Sequence, residues 1–424
     1  MNVKTLMLGW EFPPFISGGL GTACYGLTKA MDRLGMQVIF VLPRAKPIRF
    51  VRGTAVAAGA QQTGDALENK FANLRIRVVP AGFVPYGRFG NPQPAQRMTV
   101  TTEAEPLEEP WGSPVPYGPH ICEEVQRYAV RVLKVAQSEE FDIIHAHDWM
   151  TFPAGIAVAA HSGKPLVVQV HSTEFDRSGE HVNQYVYDIE RQGMHAAAKV
   201  ITVSNYTRNI LVDRYAVPPH KVEVVYNGVE SPDAGVQPPQ APPGKRDKIV
   251  LFLGRITMQK GPEYFLYAAK RVLEKEKNVK FVMAGDGDRL HGTIELAAWL
   301  GIGHRVFFTH FLRGADVDRA YQMADLYVMP SVSEPFGISP LEALQHDVPV
   351  LISKQSGIAE TLQNALKVDF WDINEMANKM VAVLRHPPLQ ETLRTNGRRE
   401  ALRFRWEDSA ARVNDIYHKV LSAA

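Results

Sequence analysis

The stretch Leu326-Tyr-Val-Met-Pro-Ser-Val-Ser-Glu-Pro-Phe-Gly-Ile-Ser-Pro-Leu-Glu342 combines a strand, a loop and the start of a helix. Its first four residues form an apolar run, which is typical of a strand buried in a sheet. Glu334 is therefore predicted in the loop after the strand, and Glu342 about two turns into the helix that follows. Open α/β sheets bind their ligands at the carboxyl ends of parallel strands, so this stretch predicts a binding site.

The two carboxylates and the glycine between them suit one kind of ligand. Glu334 and Glu342 can accept hydrogen bonds from several hydroxyl groups, as a sugar or a ribose would offer. A helix that begins beside Gly337 presents free backbone N–H groups to a phosphate. A solvated helix face is the alternative explanation for such a pair of glutamates.

Strand-like and helix-like patterns alternate over the whole chain of 424 residues. Apolar runs of this length, separated by helices, favour parallel strands buried on both faces of doubly wound α/β sheets. The first series of predicted strands is Thr5–Gly9, Gln37–Leu42, Ile76–Val79, Asp142–His145, Leu166–Val170, Val200–Val203 and Val222–Val225. The second series is Ile249–Leu253, Lys280–Ala284, Val306–Thr309, Leu326–Met329 and Pro349–Ile352.

Two Pro-rich stretches interrupt this alternation. Ser231–Lys245 is polar and without periodicity, so it is predicted to be a linker. We therefore predict two Rossmann-like domains that face a cleft, formed by residues 1–235 and residues 246–406. A final helix over residues 407–424 has apolar residues at helical spacing. Tyr86–Pro119 is either a flap on the acceptor side or a plain surface loop.

Composition excludes several classes of function. A formal net charge of +2 gives no argument for a nucleic-acid partner. Cys24 and Cys122 lie far apart, so we expect reduced thiols and neither a disulfide framework nor a metal cluster. No run approaches the roughly 20 apolar residues of a membrane span, and the first strand is too short for a signal peptide. We expect a cytoplasmic protein; peripheral membrane contact and oligomeric state stay open.

Two parts of the chain carry residues that could bind a phosphate, one through glycines and one through cations. Gly18 and Gly19 lie between the first strand and a helix, where backbone N–H groups can approach a phosphate. They do not form the pattern G-x-G-x-x-G, which disfavours NAD. Arg255 ends the first strand of the second domain, and Lys260 precedes its next helix. Two cations at this place can neutralise a diphosphate leaving group.

Polar residues follow two further strands of the first domain. His171 comes directly after Leu166–Val170, where a side chain can meet a substrate. His147, Asp148 and Trp149 follow the strand at Asp142. The helical spacing of a zinc protease is absent from this element, so we expect no metal here.

These motifs together resemble the retaining glycosyltransferases of the GT-B architecture, of the family 4/5 type that includes glycogen and starch synthases. Glu334 and Glu342 match the E-x7-E motif of these enzymes, and Gly254 to Gly261 match their G-R-x4-K-G signature. The Gly18-Gly19 pair resembles their Gly-Gly loop. The bacterial ADP-glucose enzymes carry a lysine two positions before that pair, where this chain has Ile16, which weakens the case for ADP-glucose.

The resemblance implies transfer of a hexose, glucose first, from UDP-glucose or ADP-glucose to a glycan acceptor, with α-1,4-glucan extension as the leading reaction. It implies retention, no cofactor and no metal, and a last helix that returns to the first domain. The implied catalytic residues are Arg255, Lys260, Glu334 and His171. The implied donor-binding residues are Gly18, Gly19, Gly337, Ile338, Glu342, Phe311 and Asn227. The implied acceptor-side residues are His147, Asp148 and Trp149.

Three alternatives remain at this point. A family 4 transferase could act on a cell-surface glycan, a lipid or a small sugar phosphate. A nucleotide-sugar 2-epimerase shares the same architecture, although Glu334 with Arg255 and Lys260 argues against it. A protein that binds a nucleotide sugar without turnover is the third, and the full set of polar groups argues against that.

Overall fold

A computed structural model describes residues 3–13, 18–44, 71–80, 121–230 and 247–423. The predicted linker Ser231–Lys245, the Pro-rich stretch Tyr86–Pro119 and Ile16 lie outside the described residues.

The first sheet contains seven parallel strands among the described residues, in the order β3-β2-β1-β4-β5-β6-β7. Its strand order reverses between β1 and β4, and such a switch point opens a crevice at the carboxyl ends of the strands. The strands are β1 (Lys4–Leu8), β2 (Gln37–Arg44), β3 (Leu74–Pro80), β4 (Ile143–His147), β5 (Leu166–Val170), β6 (Lys199–Thr202) and β7 (Val222–Val224).

The second sheet contains six parallel strands among the described residues, in the order β10-β9-β8-β11-β12-β13. Its order reverses between β8 and β11, which creates a second switch point. The strands are β8 (Lys248–Leu253), β9 (Val279–Ala284), β10 (Val306–His310), β11 (Leu326–Met329), β12 (Val350–Ser353) and β13 (Leu366–Val368).

Helices connect most of the consecutive parallel strands among the described residues. In the first domain they are α1 (Gly19–Arg33), α2 (Ile121–Ala136), α3 (Phe152–Ser162), α4 (Glu174–Ser178), α5 (Gln184–Ala196) and α6 (Asn205–Tyr215). Those that follow are α7 (Pro262–Lys275), α8 (Leu290–Trp299), α9 (Ala315–Met323), α10 (Ile338–Gln345), α11 (Ile373–Arg385), α12 (Pro387–Ala401) and α13 (Trp406–Ala423). Short 3₁₀ turns cover Trp149–Thr151, Met258–Lys260 and Gly357–Glu360, among others.

Local sequence explains where several helices begin. Ser204 caps α6 by accepting a hydrogen bond from Thr207 N–H, and Asp372 caps α11 through Glu375 N–H. Thr173 and Asp176 form a reciprocal capping box at the start of α4. These caps determine the residue at which each of the three helices begins.

The strands are apolar on both faces because helices cover both sides of each sheet. Every residue of β4, β5, β11 and β12 is buried. Burial of this kind explains why apolar residues occur on both faces of these strands rather than on alternate positions only.

The last helix packs on the first domain. Trp406, Ile416 and Tyr417 belong to the same buried cluster as Leu27 of α1 and Phe40 of β2. A Cβ atom at Gly26 of α1 would lie 2.2 Å from the ring of Trp406. The absence of a side chain at that position therefore allows α1 and α13 to approach closely.

The two Rossmann-like domains of the sequence prediction are confirmed, and all twelve predicted strands are present within one or two residues of their predicted bounds. The edge strand β13 was not predicted. Glu342 is the fifth residue of α10, about one turn from its start and not two.

Among the described residues, no helix is both long and apolar enough to cross a lipid bilayer.

Candidate functional site

A cavity of about 510 Å³ lies between the carboxyl ends of the two sheets. Its walls come from both domains, with loops after β1, β4 and β5 on one side and loops after β8, β9, β10 and β11 on the other. Both topological switch points therefore face one shared space, which is where α/β sheets bind ligands.

Most of the predicted site residues lie on this wall. His147 and Trp149 do not, because both side chains are buried behind it. The predicted residues that line the cavity are Gly18, Gly19, Asp148, His171, Asn227, Arg255, Lys260, Phe311, Glu334, Gly337, Ile338 and Glu342.

A charged pair marks the wall formed by the second domain. The Lys260 ammonium is in direct contact with the Glu334 carboxylate, and Ser331 Oγ donates to that carboxylate at 3.3 Å. The Lys260 side chain is 21% exposed and that of Glu334 is 10% exposed. The pair is therefore partly shielded from water but open to the cavity.

Arg255 brings a second cation to the same region. Its Nη2 lies 3.5 Å from Gln259 Oε1. A Cβ atom at Gly18 would lie 3.7 Å from Arg255 Nε, so the glycine loop of the first domain faces this guanidinium across the cavity. Cations and backbone N–H groups thus converge from both domains, as an anion site requires.

The backbone of Glu334 is held by the segment after β12. Its N–H donates to Gln355 O at 2.9 Å, and its carbonyl accepts from Gly357 N–H at 2.8 Å. This parallel bridge extends the sheet beyond β11 and β12 by one pair of hydrogen bonds. The carboxylate is therefore presented from a fixed backbone rather than from a free loop.

Glu342 lies deeper in the same wall, in the first turns of α10. Gly337, which precedes this helix, has φ of 110°, a conformation that favours glycine. The Glu342 carboxylate accepts a hydrogen bond of 2.9 Å from Tyr321 OH. Burial raises the pKa of Glu342, while the hydrogen bond from Tyr321 opposes the increase.

His171 is held in place by two neighbours of the first domain. Its backbone N–H donates to Asp148 Oδ1 at 2.7 Å, and its Nε2 shares a hydrogen bond of 2.9 Å with His147 Nδ1. Burial lowers the pKa of His171 to about 3, so the imidazole is neutral near pH 7. A neutral imidazole can both donate and accept a hydrogen bond, which suits a sugar hydroxyl.

His147 lies in a row of stacked rings behind His171. It stacks on His145 at a centroid distance of 4.3 Å, and His145 Nδ1 shares a hydrogen bond of 2.6 Å with Tyr417 OH of α13. His147 therefore supports His171 from behind and does not reach the cavity itself.

Asp148 has an unusual backbone for a residue with a side chain. Its φ is 58° and its ψ is 166°, in a region occupied almost only by glycine. Burial raises the pKa of the Asp148 carboxyl to about 7, although the hydrogen bond from His171 N–H and the charge of Arg177 oppose the increase. Strain and a buried carboxyl at one position are typical of a functional site.

The loop that carries Glu334 is also bound from the first domain. Ser333 Oγ donates to Asp176 Oδ1 at 2.5 Å, and Ser204 Oγ donates to Pro335 O at 2.5 Å. These contacts tie the two walls of the cavity together.

A third anchor lies next to these two. The Glu360 carboxylate of the second domain accepts hydrogen bonds from Asn205 N–H at 2.8 Å and Tyr206 N–H at 3.1 Å. Those two N–H groups belong to the start of α6 in the first domain, so a side chain of one domain caps a helix of the other.

Phe311 lies at the far end of the cavity, after β10. Its backbone N–H donates to Asp286 Oδ2 at 3.0 Å, and His310 Nδ1 lies 2.8 Å from Asp286 Oδ1. His310 has φ of 58°, so Asp286 stabilises a strained corner of the chain. The role of Asp286 in this structure is to fix the segment that presents Phe311.

Three charged residues on the cavity wall were not predicted from the sequence: Glu11, Arg177 and Arg313. Glu11 follows β1 and could have been found from its place after the first strand. Arg177 lies on α4 with its side chain 6% exposed, paired with Glu174 at 3.0 Å and with Glu190. No local pattern indicates that α4 would bring it to the cavity.

The fold brings Cys24 next to two histidines, a proximity that the sequence did not indicate. Cys24, His147 and His171 place potential ligand atoms within 4.8 Å of one another. The residues come from α1, β4 and the loop after β5, so only the tertiary fold brings them together.

Family models match two long parts of the chain. Residues 97–231 match the model described as "Glycosyltransferase Family 4", and residues 236–400 match "Glycosyl transferases group 1". The chain is 27% identical to an uncharacterized glycosyltransferase of Methanocaldococcus jannaschii, with 98% of each chain covered. It is 23% identical to a glycogen synthase of Mycobacterium tuberculosis, over 98% of this chain and 94% of the relative.

Solved structures share the same architecture. A sucrose-phosphate synthase from Thermosynechococcus elongatus has a TM-score of 0.72 at 19% identity, covering 99% of this chain and 100% of its own. Anabaena HepE in complex with UDP-glucose has a TM-score of 0.69 at 18% identity, with both chains fully covered. At these identities the likeness concerns the fold.

Proposed function

Since the chain belongs to the GT-B glycosyltransferases of the family 4/5 type, we propose that it transfers glucose from a nucleotide sugar to a glycan with retention of configuration. The observation that carries the proposal is the set of groups around the cavity. Arg255 and Lys260 stand beside the carboxylates Glu334 and Glu342, opposite a neutral His171. This set can bind a diphosphate, a sugar and a ribose at once.

The diphosphate binds between the two domains. Arg255 offers a fork of N–H donors and Lys260 a point charge, and the backbones at Gly18, Gly19 and Gly337 add N–H groups. When the diphosphate forms an ion pair with Lys260, the Glu334 carboxylate can accept hydrogen bonds from sugar hydroxyls. The ion pair of the free protein thus exchanges partners on binding.

The sugar and the ribose contact separate groups. Glu334 and the neutral His171 bind hydroxyls of the transferred glucose from opposite walls. Glu342 binds the ribose hydroxyls, and Ile338 and Phe311 contact the nucleoside. Asp148 lies beside His171 on the acceptor side, with His147 and Trp149 as its buried support. Asn227, in the segment after β7, lines the cavity and contacts the donor from the first domain.

Transfer occurs on one face of the sugar. The bond between the anomeric carbon and the phosphate oxygen breaks, and the bond to the acceptor oxygen forms on the same side. The leaving phosphate takes the proton of the acceptor hydroxyl, so no protein nucleophile takes part. Catalysis rests on positioning and on stabilising the charge of the diphosphate, and it uses no metal or cofactor.

The leading donor is UDP-glucose and the leading acceptor is an α-1,4-glucan. Support for the donor comes from the shared fold with a protein solved in complex with UDP-glucose. Support for the acceptor comes from the similarity to a glycogen synthase over almost the whole chain. ADP-glucose is the second donor to test, and a lipid or small sugar phosphate the second class of acceptor.

Nucleotide release tests this proposal. UDP-glucose and ADP-glucose are each incubated with the protein, with and without glycogen. We expect glycogen to accelerate UDP release and the glucan chains to lengthen. Slow release that glycogen does not change would overturn the glucan acceptor, and no release from either donor with any acceptor would overturn the transferase proposal.

A further inference from the structure

A thiol and two imidazoles lie close together in the first domain, next to the part of the cavity wall that His171 forms. Cys24 comes from α1, His147 ends β4 and His171 follows β5. The sulfur and one ring nitrogen of each histidine lie within 4.8 Å of one another, and His147 Nδ1 lies 2.9 Å from His171 Nε2. Cys24 and His147 are fully buried, while His171 lines the cavity.

One atom of this cluster lacks a partner. His147 Nε2 is buried and has no hydrogen-bond partner among the described residues. Buried polar atoms are almost always paired, so such an atom calls for an explanation. Coordination of a metal ion is one way to satisfy a buried ring nitrogen of this kind.

We propose that Cys24, His147 and His171 bind one Zn²⁺ ion, with the fourth coordination position open to the cavity. Sulfur and imidazole nitrogen are the ligands that zinc prefers. Zn–N bonds of about 2.0–2.1 Å and a Zn–S bond of about 2.3 Å place tetrahedral ligands about 3.3–3.6 Å apart. The sulfur and one nitrogen of each histidine lie within 4.8 Å of one another, so small side-chain movements admit the ion.

Two carboxylates near the cluster favour a cation at this place. Asp148 Oδ1 accepts a hydrogen bond of 2.7 Å from His171 N–H, and Glu11 lines the same cavity. A bound divalent ion would stabilise the Cys24 thiolate by displacing its proton.

Zinc at this site inhibits transfer, because an ion bound to His171 removes the group that contacts the sugar. That consequence rests on the proposed function, whereas binding of the metal does not. The ion does not take part in the transfer reaction. It competes with the sugar of the donor for His171.

Cobalt spectroscopy on the full-length protein without substrate tests the site directly. We expect one Co²⁺ per chain, a thiolate-to-cobalt charge-transfer band in the near ultraviolet, and loss of the band when Zn²⁺ is added. Cys24→Ala abolishes the band, and Cys122→Ala, which removes the other cysteine, leaves it unchanged. Absence of the band in the wild type, or its persistence in Cys24→Ala, overturns the proposal.

Circular dichroism and calorimetry separate loss of the metal site from misfolding and from loss of enzymatic activity. Cys24→Ser preserves the volume of the side chain, and its circular dichroism reports whether the variant is folded. Calorimetry of UDP-glucose binding, with and without Zn²⁺, reports the competition. We expect Zn²⁺ to weaken binding in the wild type and in Cys122→Ala but not in Cys24→Ser. Equal weakening in all three would contradict competition at this site, whereas a protein without any transferase activity would still show the cobalt band.

Discussion

Among single residues, the contact between Lys260 and Glu334 explains how two opposite charges can lie side by side on one wall of the cavity. Each neutralises the other while both remain partly shielded from water. Removing one partner would leave the other charge partly buried and uncompensated. In the proposed reaction, the exchange of Lys260 from Glu334 to a diphosphate would couple donor binding to the release of a carboxylate for the sugar.

Lys260→Ala should lower kcat far more than it weakens donor binding. Loss of one donor to the developing charge costs on the order of 2–4 kcal/mol of barrier, by analogy with an oxyanion hole. Steady-state kinetics with UDP-glucose and calorimetric donor affinity separate the two effects. Lys275→Ala, an exposed lysine of the same domain, serves as the control and should leave both unchanged. A loss in donor affinity that equals the loss in kcat/KM would contradict the role of Lys260.

Glu342→Gln should stabilise the protein at neutral pH while weakening donor binding. Burial raises the pKa of Glu342 in the folded state, so at a pH between the unfolded and the folded pKa the folded protein binds more protons than the unfolded chain. Stability from this group is complete below its unfolded pKa of about 4.3 and falls as pH rises through the folded value. The Tm difference between Glu342→Gln and the wild type should therefore be small at pH 4 and grow towards pH 7.

Tyr321→Phe provides the matched control for Glu342. It removes the hydroxyl that donates to the carboxylate and leaves the buried ring in place. We expect a loss of about 1–3 kcal/mol at neutral pH, because a buried acceptor loses its partner. A Tm difference for Glu342→Gln that does not change with pH would show that the buried carboxylate is not the cause.

At the scale of elements, helix α6 is capped from the opposite domain. The Glu360 carboxylate satisfies the N–H groups of Asn205 and Tyr206. Ser204 adds the ordinary cap within the helix and also donates to Pro335 O of the Glu334 loop. The start of α6 is therefore linked by hydrogen bonds to the loop that carries Glu334.

Glu360→Ala should destabilise the protein by about 0.5–1 kcal/mol, because Glu360 is exposed and its charge interacts with a helix N-terminus. It should also weaken donor binding, since the loop around Glu334 loses an anchor. Chemical denaturation and donor calorimetry measure the two effects. Glu391→Ala on the exposed face of α12 is the control. Unchanged donor affinity in Glu360→Ala would show that the cap does not position the loop.

The sequence predicted the strands well because parallel strands buried on both faces form continuous apolar runs. Strand β13 was missed because Leu366-Lys-Val368 is short, lies at an edge and has a charged residue at its centre. The depth of Glu342 was overestimated because Gly337 delays the start of α10.

Tertiary packing decides the remainder of the site. Sequence placed His147 and Trp149 with Asp148, but β4 turns at the strained Asp148 and leaves its neighbours behind the wall. Cys24 and Arg177 reach the cavity region only through the packing of α1 and α4, which no local pattern records.

At the scale of the whole molecule, α13 belongs in space to the first domain although it ends the chain. It covers a buried apolar surface that includes Leu27, Met31 and Phe40. The Arg33–Glu407 ion pair at 2.6 Å adds a contact at the start of the helix. The chain therefore passes from the first domain to the second and returns, which leaves two crossings between the domains.

A fragment of residues 1–235 should fail to fold cooperatively, because it exposes the surface that α13 covers. Adding a peptide of residues 406–424 should restore a cooperative transition in chemical denaturation. A fragment of residues 246–406 should fold alone, since its sheet and one buried cluster lie within that range. Among the described residues, the other buried cluster of this domain includes only Val203 and Val229 from the first domain. Cooperative unfolding of the 1–235 fragment without the peptide would contradict this division of the chain.

Glucosyl transfer with retention is tested most directly by following a ¹³C label at the anomeric carbon of UDP-glucose in the presence of glycogen. We expect nuclear magnetic resonance to show the label leaving UDP and reappearing in an α-1,4 linkage. Label that appears in a β linkage would contradict retention. Label that stays on the nucleotide, or moves only to free glucose or an epimer, would contradict glucosyl transfer to a glucan.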